Sequence, residues 1–185
     1  MNSKEDLERE YQRIIFWINN IDTKISFAIG ASGVLLGFIL SNADLSKTLK
    51  EHYKTLKLWD DSSINSGILF LLFGITIVLL VSAMWCFLSG LRAKIDPKKY
   101  HQPQMVSPSN IFWGDISKNN FYSYKYRVEN YQIKDWEQDM QTQIYINSCI
   151  CNQKTKFYNS GITCLKISLI GFVIYHIWLW FFLPK

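Results

Sequence analysis

Apolar residues gather in three windows along the chain, Ile25 to Leu40, Ser66 to Leu91 and Ile162 to Leu183. These windows hold no acidic residue and a single charge, Lys166. A helix rises about 1.5 Å per residue, so they span roughly 24, 39 and 33 Å against a hydrocarbon core of about 30 Å. The second and third are long enough to cross a bilayer, and the first is a marginal span that needs shelter from the other two. So large an apolar share would swamp a soluble core in a chain of 185 residues. The pattern predicts an all-α membrane protein with three transmembrane helices.

The polar stretches carry a second period. Leu7, Tyr11, Ile14, Ile18, Ile21, Ile25 and Ala28 recur at alternating steps of four and three, a heptad seam that runs without proline or glycine from the N-terminal region into the first window. One long helix is therefore expected, with Asn2 and Ser3 as caps ahead of Glu5, Asp6 and Glu8. Its seam is expected to rest on the protein's own cytosolic part rather than to form a dimeric coiled coil. Within the window, Ser26, Gly30, Gly33 and Gly37 line one face, and small residues let helix backbones approach closely. This face reads as helix packing, with a pore lining as the sharper alternative.

A second long helix is expected from about Asp135, through Gly161, into the third window, with Met140, Ile144, Cys151, Tyr158 and Ile162 as an intermittent apolar face. Between the windows, Leu49, Tyr53, Leu56 and Trp59 suggest a short amphipathic helix at the bilayer surface. Pro97, Pro103 and Pro108 mark a turn-rich stretch after the second window. The resulting division is 1–24, a cytosolic amphipathic helix; 25–41, the first span; 42–65, an external loop; 66–91, the second span; 92–160, a cytosolic loop and helical module; and 161–183, the third span.

Charge sets the expected orientation. Four Lys and Arg lie in residues 1–24, four in 42–65 and ten in 92–160. Lys and Arg are retained on the cytoplasmic side, so a cytosolic N-terminus and an external C-terminus place the larger share inside. The opening MNSKEDLERE is charged and is not expected to act as a cleaved signal. The inner basic excess favours anionic lipid or small anions as partners, and no nucleic acid.

Candidate chemistry is sparse. No hydrolytic triad, Walker loop, HExxH or GxGxxG occurs, so no enzyme is expected. Cys149 and Cys151 stand two apart on a helix, off a common face, and His52, His101 and His176 are scattered, so neither metal nor cofactor is expected. What remains gathers near the inner membrane boundary. Asp22 and Lys24, close to Trp17, are charges at the point of membrane entry, where they hold helices in register, bias a gate or simply snorkel. Lys166, one turn inside the third window, is a candidate partner for Asp22. In the run Phe112 to Ile116, Trp113 offers a flat face to stack a base, Gly114 permits close backbone approach, and Asp115 accepts hydrogen bonds from a ribose or base edge. Arg92, Lys94, Lys98, Lys99, Arg127 and Lys154 are candidates to meet a phosphate.

In order, the motifs are Trp17-Ile-Asn-Asn-Ile-Asp22-Thr-Lys24 entering a first span, then Phe112-Trp113-Gly114-Asp115-Ile116, then Gln143-Ile144 through Lys154 and Lys156 leading into a last span. This arrangement resembles the Pycsar system effectors, small bacterial membrane proteins of nucleotide-signalled phage defence, over residues 14 to 175. Ile25, where a small residue is expected, and Trp113, in place of a phenylalanine-like aromatic, depart from that pattern. The resemblance implies a multi-pass protein of the bacterial inner membrane that senses a cyclic pyrimidine nucleotide (cyclic CMP or cyclic UMP), impairs the membrane and stops growth before phage matures. A homo-oligomer is expected, since three thin helices enclose little of a pore. Ligand sensing or gating falls to Trp17, Asp22, Lys24, Trp113, Gly114, Asp115 and Lys154, and helix packing to Gly30, Gly33 and Gly37. The alternatives are a defence effector triggered by a cyclic oligonucleotide or a protein, and a structural scaffold acting through the Leu7 to Ile25 seam.

Overall fold

The computed structural model describes residues 4–41, 47, 50, 53–54, 61–92, 100 and 102–182. Among the described residues the helices with defined bounds are, in chain order, α1, Lys4–Ser41; α2, Asp61–Leu91; α3, Trp113–Ile116; α4, Phe121–Glu129; and α5, Ile133–Phe182. No strand occurs among the described residues. Three of these helices are long and apolar enough to cross a membrane: α1, α2 and α5. The all-helical class and the continuation of the first and last spans into long polar helices are as the sequence indicates.

Local chemistry explains the ends. Glu5 and Asp6 occupy the first turn of α1, where a carboxylate meets the positive end of the helix dipole. The Asn120 side chain accepts from the Ser123 N–H at 2.8 Å and caps α4. The N–H of Gln132, just before α5, donates to Asp135 at 3.2 Å. The helix α2 begins five residues ahead of its apolar window, at Asp61 instead of Ser66, because the polar run before Ser66 contains nothing that breaks a helix. The short helices α3 and α4 fill what reads in sequence as a polar, tyrosine-rich stretch. Of the surface helix expected after the first window, Lys47, Lys50, Tyr53 and Lys54 are helical, while Leu49, Leu56 and Trp59 lie outside the described residues. So do Lys94, Pro97, Lys98, Lys99 and His101.

The chain divides into two compact units, one of Met1–Asp22 with Ala93–Thr155 and one of Thr23–Arg92 with Lys156–Lys185. Both α1 and α5 supply residues to each. In the second unit Ile39, Leu69, Leu80 and Tyr175 form a buried cluster. The Phe73 and Tyr175 rings meet there at 5.3 Å. Phe87 lies against Gly161, and Thr76 Oγ1 would stand 2.8 Å from a Cβ at position 171, so helix contact there depends on glycine. Three hydroxyls in this unit are satisfied by backbone carbonyls. Ser32 donates to the Ala28 carbonyl, Thr76 to that of Leu72, and Ser168 to that of Thr76. The outward faces carry Phe27, Val34, Phe38, Val78, Trp85, Ile170, Trp180 and Phe181, a surface that water solvates poorly and lipid solvates well.

Candidate functional site

The first unit is assembled around one buried carboxylate. Asp139 on α5 has no exposed surface. Its Oδ1 accepts from the Ser109 hydroxyl at 2.6 Å, and its Oδ2 accepts from the Asn110 N–H and the Tyr131 hydroxyl, each at 2.7 Å. A charge in that position is tolerated because three donors replace its water. The Ser109 hydroxyl in turn accepts from the N–H groups of Ile111 and Phe112, at 3.0 and 2.9 Å. Burial raises the Tyr131 hydroxyl well above its ordinary pKa, and the hydrogen bond to Asp139 and the charges of Asp139 and Asp135 push the same way. These contacts pin the segment leading into α3 onto α5.

Between this segment, α1 and α5 lies a cavity of about 260 Å³. Tyr11 and Ile15 reach it from α1; Thr142, Gln143, Ile146, Asn147 and Ile150 from α5; and Tyr100, Met105, Val106, Ser107, Ile111, Phe112, Trp113 and Asp115 from the connecting segment. Four of these are aromatic and none is a lysine or arginine. Val106 is tied to α5 through its N–H, which donates to Thr142 Oγ1 at 3.2 Å, and Tyr100 donates to Gln153 at 2.8 Å. Burial, with a smaller contribution from Cys149, raises the Tyr100 hydroxyl pKa. The wall suits a flat, largely uncharged ring, stacked between aromatic faces and met by a few polar groups.

Two of the sequence candidates line this cavity, and a third lies between them in the chain. Trp113 lines it from the rim with 68% of its surface exposed, and Asp115 lines it with Oδ2 accepting from the Ser109 N–H at 3.0 Å. Gly114 is buried between them under the Phe112 ring, and a Cβ there would lie 2.8 Å from Phe112 Cζ. Lys118, itself exposed, stands with its ammonium 3.9 Å from Asp115 Oδ1.

Two other candidates meet each other. Lys154 donates to Asp22 at 2.6 Å, with 8% of the lysine side chain and 35% of the aspartate side chain exposed. Asp22 is thus paired with Lys154 rather than Lys166, and α1 and α5 are tied together within the first unit. Lys154 stands one helical turn beyond Ile150 of the cavity wall, about 6 Å along α5. Committed to this pair, Lys154 is not a free cation for a phosphate. Trp17 and Lys24 are exposed, and Trp17 packs edge-on against Phe16 at 5.9 Å. Arg127 is not among the described lining residues, and its guanidinium nitrogens are buried with no hydrogen-bond partner among the described residues.

The seam of α1 is buried on the protein itself in both units, at Leu7, Ile14 and Ile21 in the first and at Ile25 and Ala28 in the second, as expected of a helix resting on its own chain. Gly30, Gly33 and Gly37 are exposed, and a Cβ at any of them would meet nothing within 4 Å. Among the described residues no cluster of three or more His, Cys, Asp or Glu could hold a metal.

Sequence reasoning passed over Asp139, Ser109, Tyr131 and Thr142, and met Gln143 only as part of a motif, without a role. The buried side of α5 carries Asp139, Thr142, Gln143 and Lys154 beside Met140, so most of that side is polar and apolar periodicity marks little of it. The signal that could have found them is the helical spacing itself, Asp139, Gln143, Ile146, Ile150 and Lys154 at steps of four, three, four and four.

The comparisons with known proteins agree with one another. A family model described as the Pycsar effector protein domain matches residues 6–183. The chain is 33% identical over 176 residues to the Pycsar effector protein GmPycTM of Gulbenkiania mobilis, a match covering 92% of this chain and 90% of that protein. No solved structure matches the chain.

Proposed function

The chain belongs to the Pycsar effector family, and on that premise we propose that it is a membrane effector of anti-phage defence that binds a cyclic pyrimidine mononucleotide in the first-unit cavity and then damages the membrane. The observation that carries the ligand reading is the cavity. Its volume of about 260 Å³ lies just below the usual range of small-molecule sites, which starts near roughly 300 Å³. A mononucleotide ring fits that space and a cyclic oligonucleotide does not, which disfavours the larger signal.

Tyr11 and Ile15 of the wall belong to α1, and Thr142 to Ile150 belong to α5, both helices with membrane-capable spans. A ligand seated between them favours whichever packing of the two fits it better, and the shift it can drive equals its difference in affinity for the two packings. The exposed face of Gly30, Gly33 and Gly37 supports a homo-oligomer, since in lipid such a face allows another helix to approach closely. The lysine and arginine distribution supports an inner-membrane topology with residues 1–24 and 92–160 in the cytosol and the C-terminus outside.

The test is coexpression in bacteria of this chain with either a cytidylate or a uridylate cyclase, with propidium uptake as the readout. Uptake that requires both the chain and an active cyclase supports the proposal. Uptake independent of the cyclase, or none with either cyclase, would overturn it.

A further inference from the structure

Two lining side chains of the cavity are both polar and more than nine-tenths buried, Thr142 at 7% exposed and Gln143 at 5%. The Thr142 hydroxyl is fully engaged, donating to the Gln138 carbonyl at 2.9 Å and accepting from the Val106 N–H at 3.2 Å. Gln143 differs. Its backbone carbonyl accepts from Asn147 at 2.8 Å, but its carboxamide makes no hydrogen bond with any described residue. Its carboxamide atoms are not among the fully buried unpaired ones, so they open onto the cavity, where a ligand that supplies both a donor and an acceptor can take the place of water.

The charge of the wall fixes which part of a nucleotide goes in. Among the described lining residues there is no cation, and Asp115 contributes a carboxylate. Among the described residues a phosphate inside would face Asp115 with no lining cation, whereas on the outer side of Asp115 it meets water and the exposed ammonium of Lys118. The ring therefore enters first. The edge farthest from the sugar, carrying N3 and the substituent at C4, then leads into the cavity, whose wall includes Gln143.

We propose that Gln143 is the base-reading residue of this cavity, its carboxamide pairing with the N3 and C4 edge of a pyrimidine that enters ring first. This rests on the cyclic-pyrimidine reading above. A carboxamide presents one donor and one acceptor and reverses their order by turning over. It therefore serves uracil, with N3–H and O4, and cytosine, with N3 and its amino group, and does not by itself separate the two.

The experiment is calorimetric titration of the full chain in detergent with cyclic UMP and with its N3-methylated analogue, for the wild type and for Gln143→Met, which keeps the side-chain volume and removes the amide. In the wild type, methylation at N3 weakens binding by roughly ten- to a hundredfold, the range for a buried amide left unpaired. In Gln143→Met, cyclic UMP is weakened and the methylated analogue is not weakened further. A merely structural role for Gln143 would weaken both ligands equally and leave their ratio intact, and that result overturns the proposal. Wild-type binding indifferent to N3 methylation overturns it too, with no variant needed. Should Gln143→Met not fold, Gln143→Asn, which withdraws the amide by one methylene, must lower the same ratio. If the wild type binds neither cyclic UMP nor cyclic CMP, the cyclic-pyrimidine reading itself falls, an outcome distinct from the others.

Discussion

The Asp22 and Lys154 pair makes an asymmetric prediction. Lys154 is nearly closed off from water at 8% side-chain exposure, and Asp22 is reached by water at 35%. Removing the carboxylate with Asp22→Ala leaves an ammonium buried without its counter-ion, a change that typically costs about 3–5 kcal/mol. Because water reaches the aspartate side, the lower end, about 3 kcal/mol, is expected here. Removing the ammonium with Lys154→Met leaves a carboxylate that can hydrate and a side chain of similar length in an otherwise buried slot, so about 1 kcal/mol is expected. In a domain of this size 1 kcal/mol moves the melting temperature by roughly 2–4 °C. Asp22→Ala should then melt roughly 6–12 °C below the wild type and Lys154→Met only about 2–4 °C below. The double variant should be more stable than Asp22→Ala alone, because the orphaned charge is gone, giving a coupling of about 2 kcal/mol. The seven tryptophans supply the signal for melting in detergent by intrinsic fluorescence. A double variant as unstable as the two losses added, or Lys154→Met costing as much as Asp22→Ala, would refute the assignment of a desolvated lysine held by a hydrated aspartate.

Leucine at both Gly33 and Gly37 should leave the protomer folded, since a Cβ meets nothing there, and should lower the oligomer mass measured by light scattering in detergent; an unchanged mass would reject the packing role. Gly114→Ala should displace the Phe112 ring from the cavity wall and weaken cyclic-pyrimidine binding severalfold by calorimetry, with little change in helicity. Asp139→Ala should cost more than loss of a single hydrogen bond, at about 1–3 kcal/mol for each donor left buried and unpaired, measured as a melting shift. Tyr131 is held neutral in the folded chain by burial and by Asp139, so its folded pKa lies above the unfolded value near 10. Its contribution is therefore complete below about pH 10 and declines as pH rises beyond that, and Tyr131→Phe should flatten that part of the alkaline melting profile.

Much of the architecture was legible because membrane helices announce themselves by composition. The windows ending at Leu40 and Leu91 and the run from Gly161 onward have no reading in water that buries them, and the seam from Leu7 to Ala28 has only one face to offer. The site was legible where a residue type is unusual for its place. Trp113, Gly114 and Asp115 stood out in a turn-rich stretch, and Asp22 stood out at the edge of an apolar window. Asp139 and Thr142 did not, because a polar residue on a helix reads by default as solvent-facing. Their burial comes from residues 105–116 folding back onto α5, a long-range contact with no periodic trace. The choice of Lys154 over Lys166 as partner to Asp22 has the same origin. Both lysines lie on α5, and only the packing of α1 against it decides which one the aspartate meets.

The most direct test of the account is dye release from liposomes carrying the full chain, with cyclic CMP, cyclic UMP, cyclic AMP and a cyclic dinucleotide added separately. The account expects release with a cyclic pyrimidine mononucleotide and none with the purine or the dinucleotide. Release with the dinucleotide alone, or with none of the four, would contradict it.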